Sequence, residues 1–233
     1  MGKGLFITAT GTDIGKTYVT ALIVKALVKA GLNASYYKAA LSGAEEKDGI
    51  LLPGDADYVA KTAGLKRNPS SLVSYIYKTA VSPHLASKIE GNPVDLSKVK
   101  SDFQQELSQY DYLTVEGSGG IICPIRWDEE KIMLEDIITN LGLGTVIVSN
   151  ALLGSINACV LTAFYLQKKN IPVRGIILNN YDENNIMQQD NKKMMETLSG
   201  VPVIGYVAPG GENLKIDLEV LKELYHEPTT ERI

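Results

Sequence analysis

The stretch GLFITATGTDIGKTYV, Gly4 to Val19, decides how the rest of the chain is read. It opens on a short apolar run, passes through a turn holding Gly11 and Gly15, and closes on Gly15-Lys16-Thr17. From Val19 the apolar residues Leu22, Ile23, Ala26, Leu27 and Ala30 keep the i, i+3, i+4 spacing of a helix, which Gly31 stops. Strand, glycine turn and amphipathic helix together form the layout in which backbone N–H groups at a helix start cradle phosphates. In that layout Lys16 reaches the β- and γ-phosphates of a nucleotide and the Thr17 hydroxyl holds Mg²⁺. Asp13, Ile14, Gly15 and Tyr18 complete the loop around them. The front of the motif departs from the usual form, which has glycine five positions before Gly15; Thr10 stands there. A tight strand–helix turn with an incidental Gly-Lys-Thr is the plain alternative. The strand before the turn and the helix after it favour the phosphate loop. A related class of partitioning and cell-division ATPases carries a lysine four positions before the second glycine; here that position is Gly11.

Working outward, continuous β-rich apolar runs recur as NASYYK, YDYLTVEG, GTVIVSN, VRGIILNN and VPVIGYVA. Continuous rather than alternating runs are expected of strands buried on both faces. Helical patterns separate them, among them INACVLTAFYLQKKN, with lysines in its last turn, and DLSKVKSDFQQELSQ, opened by the capping residue Asp95. The alternation predicts an α/β fold, a single doubly wound and mostly parallel sheet flanked by helices, in one domain over residues 1–233. Ligands of such sheets sit beyond the carboxyl ends of the strands. There the pattern places Thr12, Lys38, Glu116, Asn150 and Asn179. The glycine-rich, charged stretch 39–55 reads as a mobile loop over the site, and 226–233 as a frayed tail.

With 233 residues, 45% of them hydrophobic, the chain is long enough for one large α/β core. A formal net charge of -4 with dispersed basic residues argues against nucleic acid and anionic membranes as partners. No apolar run reaches membrane-spanning length and no signal peptide is visible, so a cytoplasmic protein is expected. Cys123 and Cys159 lie in apolar surroundings without metal-like spacing and read as reduced, structural thiols. His84 reads as a structural helix-start residue, and Arg126 and Trp127 as candidates for the wall of a groove. No Ser-His-Asp or Cys-His constellation stands out.

Several features then coincide: TGTDIGKT, YYKAALSG with Lys38 and Ser42, PGDADY with Asp55, TAVSPHLAS, LTVEGSGG with Glu116, VSNALLGSINACVLT and GIILNN. Together, over nearly the whole chain to about residue 210, they resemble the dethiobiotin synthetase family. VEGSGG and LGSIN are its most specific pieces. Ala9 stands where family members often have glycine, and Ala39 where a proline often follows the lysine; neither removes a group that does chemistry.

The resemblance implies a ligase that uses ATP and Mg²⁺ to close a cyclic urea on 7,8-diaminononanoate with CO₂ or bicarbonate. It implies Lys38, Lys16 and Thr12 as catalytic residues, with Thr12, Ser42 and Gly119 on the diamine or its carbamate. Thr17, Asp55 and Glu116 become the metal set, although Asp55 could instead cap a helix and Asp57 could take its place. Gly117, Ser118 and Gly119 join the nucleotide site. Asn179, Asn180, Ala208, Pro209 and Gly210 are implied to hold the adenine. Ser155, Ile156 and Asn157 match a helix start that takes the substrate carboxylate from a partner subunit, so a homodimer is implied. The alternatives are another ATP-dependent amide- or carboxylate-activating enzyme and a nucleotide-driven switch on the same fold.

Overall fold

In the computed structural model the described residues are 2–229. Eleven strands are seen among them: β1 Lys3–Ala9, β2 Ala34–Leu41, β3 Glu45–Lys47, β4 Ile50–Leu52, β5 Val73–Ile76, β6 Tyr112–Glu116, β7 Pro124–Trp127, β8 Lys131–Met133, β9 Thr145–Ser149, β10 Val173–Leu178 and β11 Val203–Tyr206. The helices are α1 Lys16–Lys29, α2 Gly54–Ala63, α3 Pro83–Ile89, α4 Leu96–Leu107, α5 Leu134–Leu141, α6 Ser155–Lys168, α7 Ile186–Ser199 and α8 Leu218–Glu223.

Seven strands form one sheet in the order β11-β10-β9-β1-β6-β2-β5, and every pairing is parallel. Parallel strands need crossovers, and the helices supply them on both faces. Leu5, Ile7 and Ala9 of β1 point to the face covered by α1 and α8, while Phe6 points to the face covered by α4, α5, α6 and α7. A third cluster fills the space between α1 and α2 over Tyr36 and Leu41 of β2. The doubly wound expectation holds, because each continuous apolar run is covered on both sides.

Two local expectations are corrected. Stretch 39–55 is not one open loop: β2 runs on to Leu41, β3 and β4 pair as a small antiparallel hairpin, and α2 begins at Gly54. The hairpin's base is pinned by Tyr77 N–H to Leu41 O at 2.8 Å and Ala44 N–H to Tyr77 O at 2.9 Å. Lys38 consequently lies inside β2 rather than at its end. Within the expected tail, residues 226–229 are held: Gly4 N–H donates to His226 O at 2.8 Å, and Thr229 N–H donates to Gly142 O at 3.0 Å. Residues 230–233 lie outside the described part. Strands of three or four residues are too short to show a period, which hides β3, β4 and β5 alike.

Candidate active site

β1 delivers the chain to the C-terminal edge of the sheet, where residues 10–15 turn into α1. Gly15 is the N-cap of α1, with φ 87°, and no side chain caps that helix start. Its first backbone N–H groups therefore remain available to an anion. Glycine is required at 15 on two counts: the left-handed backbone, and a Cβ there would come within 2.1 Å of Asn179 Nδ2.

Three neighbouring elements meet this loop. β6 pairs with both β1 and β2, and its register sets Lys38 directly beside Glu116. Glu116 Oε1 accepts from Lys16 Nζ at 3.2 Å, Thr17 Oγ1 at 2.8 Å and Lys38 Nζ at 2.9 Å. Lys38 Nζ also reaches Asp55 Oδ2 at 2.6 Å. Asp55 sits in the first turn of α2 but is not its cap, which is Pro53, so its carboxylate is turned to the site. Asp57 pairs instead with Lys61 on the surface at 2.6 Å. Two ammoniums and two carboxylates are thus interleaved at the foot of one cleft.

Burial makes this cluster electrostatically strong, since low dielectric magnifies each interaction. Burial alone would push the Glu116 carboxyl up, but the ammoniums of Lys38 and Lys16 outweigh it and hold it down at about 2. For Lys38, burial opposes the charge, yet Glu116 and Asp55 prevail and raise its value above the usual lysine range. For Lys16 burial wins, with Lys38 adding repulsion, and its value is lowered. The two lysines therefore differ in how firmly they hold their protons.

The cleft above encloses about 700 Å³ and is lined by the expected Thr12, Asp13, Gly15, Lys16, Thr17, Lys38, Ser42, Asp55, Ser118 and Gly119. It is also lined by Val81, Ser82 and Pro83, which sequence reasoning left without a role, although TAVSPHLAS was singled out. Cys123 lines it too; it is buried, and burial raises its thiol above the ordinary value. Cys159 lies in the core as expected, its thiol pushed up to about 11 by burial. Ser118 Oγ donates to Ala40 O at 2.8 Å, fixing the glycine loop after β6 to β2.

Other expected residues lie elsewhere. Asn179 follows β10 behind the phosphate loop, and its Nδ2 donates to Ile14 O at 2.9 Å. Its Oδ1 is buried without a hydrogen-bond partner. Nδ2 carries two N–H groups, so the amide keeps one donor beside its unpartnered oxygen. Asn180 is exposed, with φ 53°. The turn holding Ala208, Pro209 and Gly210 is tied to α1 by Tyr18 Oη, which donates to Gly211 O at 2.6 Å. Gly117 packs against the Phe6 ring. Ser155, Ile156 and Asn157 open α6 away from the cleft; Gly154 is the N-cap, and Ser155 Oγ donates to Leu152 O at 2.6 Å. Arg126 is held by Asp128 and Glu130, and neither it nor Trp127 lines the cleft. His84 lies in the first turn of α3.

One contributor went unseen in the sequence. Tyr36 is completely buried and its hydroxyl donates to Glu116 Oε2 at 3.1 Å. An aromatic in the run SYYK looks like core, and only the strand register reveals its polar end.

The donor set suits a magnesium ion: one hydroxyl and two carboxylates, all hard oxygens, with room for phosphate oxygens and water. A cation already bridges the two carboxylates, the Lys38 ammonium. Among the described residues there is no cluster of three or more His, Cys, Asp or Glu that would hold a metal without phosphate help.

Comparison with known proteins bears on this arrangement. The family model described as an AAA domain matches residues 3–212. The ATP-dependent dethiobiotin synthetase BioD of Clostridium botulinum (strain Eklund 17B / Type B) is 52% identical over 226 residues, covering 97% of this chain and 99% of that one. The protein of the same name from strain Loch Maree / Type A3 is 51% identical over 227 residues, covering 97% and 100%. Among solved structures, the MinC:MinD cell division protein complex of Aquifex aeolicus superimposes with a TM-score of 0.57 at 14% identity, covering 97% of this chain and 87% of that one. A ParA family ATPase from Chlorobium tepidum TLS gives 0.53 at 16% identity, covering 89% and 84%. At such identities the structural likeness speaks for the fold alone.

Proposed function

The chain belongs to the ATP-dependent dethiobiotin synthetase family, and from that premise we propose how its own residues divide the work. The protein is an ATP-dependent ligase that forms carbon–nitrogen bonds, and its substrates are the diamine 7,8-diaminononanoate and CO₂. One observation carries the residue assignment. Lys16, Lys38 and Thr17 converge on Glu116 Oε1 within 3.2 Å, under a cleft also lined by Thr12 and Ser42.

In the proposed course, an amino group of the diamine takes up CO₂ as a carbamate. A carbamate oxygen attacks the γ-phosphate of ATP, and ADP leaves. The second amine attacks the activated carbonyl, phosphate leaves, and the ring closes. Both reactants of the phosphoryl step are anions, so the protein's main task is charge compensation and positioning. Lys16 serves the phosphates from the loop side, and Lys38 serves the carbamate and the charge that develops in transfer. Thr12 and Ser42, with Gly119, hydrogen-bond the diamine at the other side of the cleft. The uncapped start of α1 seats the phosphates. Thr17, Asp55 and Glu116 would hold Mg²⁺, which when bound neutralises phosphate charge. The Asn179 amide, with one N–H and its oxygen unpaired, would serve the adenine edge together with Asn180 and the 208–210 turn.

The dimer is part of the same proposal. α6 and the turn before it present exposed apolar side chains, Leu153 at 91% in the turn and Leu161 and Phe164 along the helix. A partner would cover this face, and the helix start would take the diamine's carboxylate through Ser155, Ile156 and Asn157. Phosphate release from MgATP and bicarbonate, with and without 7,8-diaminononanoate, tests the assignment in variants. Lys16→Ala and Lys38→Met should lose diamine-stimulated release, and near-normal stimulation in either would reject the roles given to them.

A further inference from the structure

We propose that Tyr36 is a positioning residue for this reaction, its hydroxyl fixing the Glu116 carboxylate so that Oε1 is the oxygen presented to the nucleotide site. The inference rests on the reading of Glu116 as a metal ligand. It begins from an asymmetry. Oε1 of Glu116 accepts from three donors that border the cleft, Lys16, Thr17 and Lys38. Oε2 accepts from Tyr36, at 3.1 Å, from the interior side.

A carboxylate turns easily about its last side-chain bond, since that torsion is broad and two-fold. Donors on the cleft side alone would leave the two oxygens interchangeable. A donor on the far side removes the equivalence, and one that cannot move does so most firmly. Tyr36 has that property. It is fully buried in the cluster that joins Ala21 and Val24 of α1 to Ala56, Val59 and Ala60 of α2. Its ring is therefore wedged between the helix that carries Lys16 and Thr17 and the helix that carries Asp55.

The strand register explains how it reaches its target. Lys38 pairs with Glu116, and Tyr36 pairs with Thr114. Residues two apart share a face of a strand. Tyr36 thus stands on the same side as Lys38, one step upstream, and its long ring bridges diagonally to Glu116. Tyr37 points to the opposite face, where its hydroxyl meets Ser74 at 2.6 Å and donates to Val99 O at 3.1 Å. Losing the Tyr36 hydroxyl would leave Oε2 enclosed without a donor, and a buried carboxylate oxygen in that state turns toward whatever donor remains. Partners one shell out from a metal act in this way, and their loss typically weakens the metal roughly 10–100-fold.

The test is Mn²⁺ affinity, read by electron paramagnetic resonance on the protein with ADP. Tyr36→Phe is expected to weaken Mn²⁺ roughly 10–100-fold. 4-Aminophenylalanine in place of Tyr36 keeps a donor on the same ring and is expected to restore most of the loss. 4-Methylphenylalanine fills the hydroxyl's space without a donor and replaces the phenylalanine variant should that one not fold. In a Glu116→Gln background Tyr36→Phe should add nothing, whereas in an Asp55→Asn background its full effect should persist. An equal loss in all three backgrounds would mean general loosening of the α1–α2 core and would overturn the proposal. Wild-type affinity in Tyr36→Phe, with Glu116→Gln weakened, would overturn it while leaving Glu116 as a ligand. Wild-type affinity in Glu116→Gln would overturn both.

Discussion

Replacing Lys38 with methionine keeps the buried stem and deletes a single charge. In the protein as it stands, two ammoniums face two carboxylates: Lys16 and Lys38 against Glu116 and Asp55. After the substitution Glu116, buried from solvent, keeps only Lys16 as an ionic partner, and Asp55 loses the ammonium at 2.6 Å. Removing one member of a buried pair costs about 3–5 kcal/mol. For a chain of this size each kcal/mol lowers Tm by about 2–4 °C, so the metal-free variant should melt about 6–20 °C below wild type. Mg²⁺ with ADP changes the comparison. A ligand at 100 times its Kd stabilises by about 2.7 kcal/mol, and in the variant it restores a cation where one is missing. Wild type gains less, because its metal must displace Lys38. The gap in Tm between the two proteins should therefore narrow when EDTA is exchanged for MgADP in scanning calorimetry. Turnover should stay low in either case, down about 10²–10³-fold, since the metal cannot replace the lysine facing the carbamate. A variant that melts with wild type in EDTA, or a gap indifferent to MgADP, would refute this reasoning.

Other outcomes follow from the same geometry. Glu116 is held at about 2 against an ordinary 4.5. A depressed carboxyl stabilises the fold above its unfolded value and loses that contribution as pH falls from about 4.5 to about 2. At about 1.4 kcal/mol per pH unit this amounts to roughly 3 kcal/mol in all, so between pH 5 and pH 3 urea unfolding should show wild type losing about 2 kcal/mol more than Glu116→Gln. Equal falls would count against the buried pairing. Gly15→Ala forces a side chain into left-handed backbone, at about 1–2 kcal/mol, and drives its Cβ against Asn179. Calorimetric titration should find ATP binding abolished, and a wild-type Kd would contradict the loop assignment. Leu153→Glu alters a residue 91% exposed in the single chain, which should still fold, with an unchanged far-ultraviolet circular dichroism spectrum. Sedimentation equilibrium should show monomer, with diamine affinity reduced, and an intact dimer would move the interface elsewhere.

What the sequence disclosed here depended on how local each feature was. The phosphate loop was legible because strand, turn and helix are contiguous and their periods differ. Asp95 was legible as a cap, and its side chain does accept from Ser97 and Lys98 N–H groups. The strand pattern set Lys38 and Glu116 at the carboxyl edge, but only family resemblance joined them with Asp55 in one site, because β2 and β6 become neighbours through a parallel pairing that no local pattern encodes. Their mutual distances were beyond reach for the same reason. Tyr36 was hidden in a different way: it looks like a core aromatic, and only its contact with the distant Glu116 shows its polar use. Asn179 was legible at its strand end, but its bond to Ile14 of the phosphate loop was not. The β3–β4 hairpin was unreadable because its strands are three residues each and largely charged or exposed.

The placement of β1 at the middle of the sheet reaches beyond the finished molecule. Its two neighbours are β6 and β9, so Lys3 waits for Tyr112 and Phe6 for Thr145 before either edge is covered. Ribosomes add about 5–20 residues per second, so the nascent strand stays without a ladder for at least roughly 5–20 s. Such long-range pairing slows folding in general. Of the strands in the sheet it waits longest for a partner, and it is the one that leads into the phosphate loop. During synthesis, therefore, the most apolar part of the catalytic apparatus depends on α1, its immediate successor, to keep it from straying to another chain.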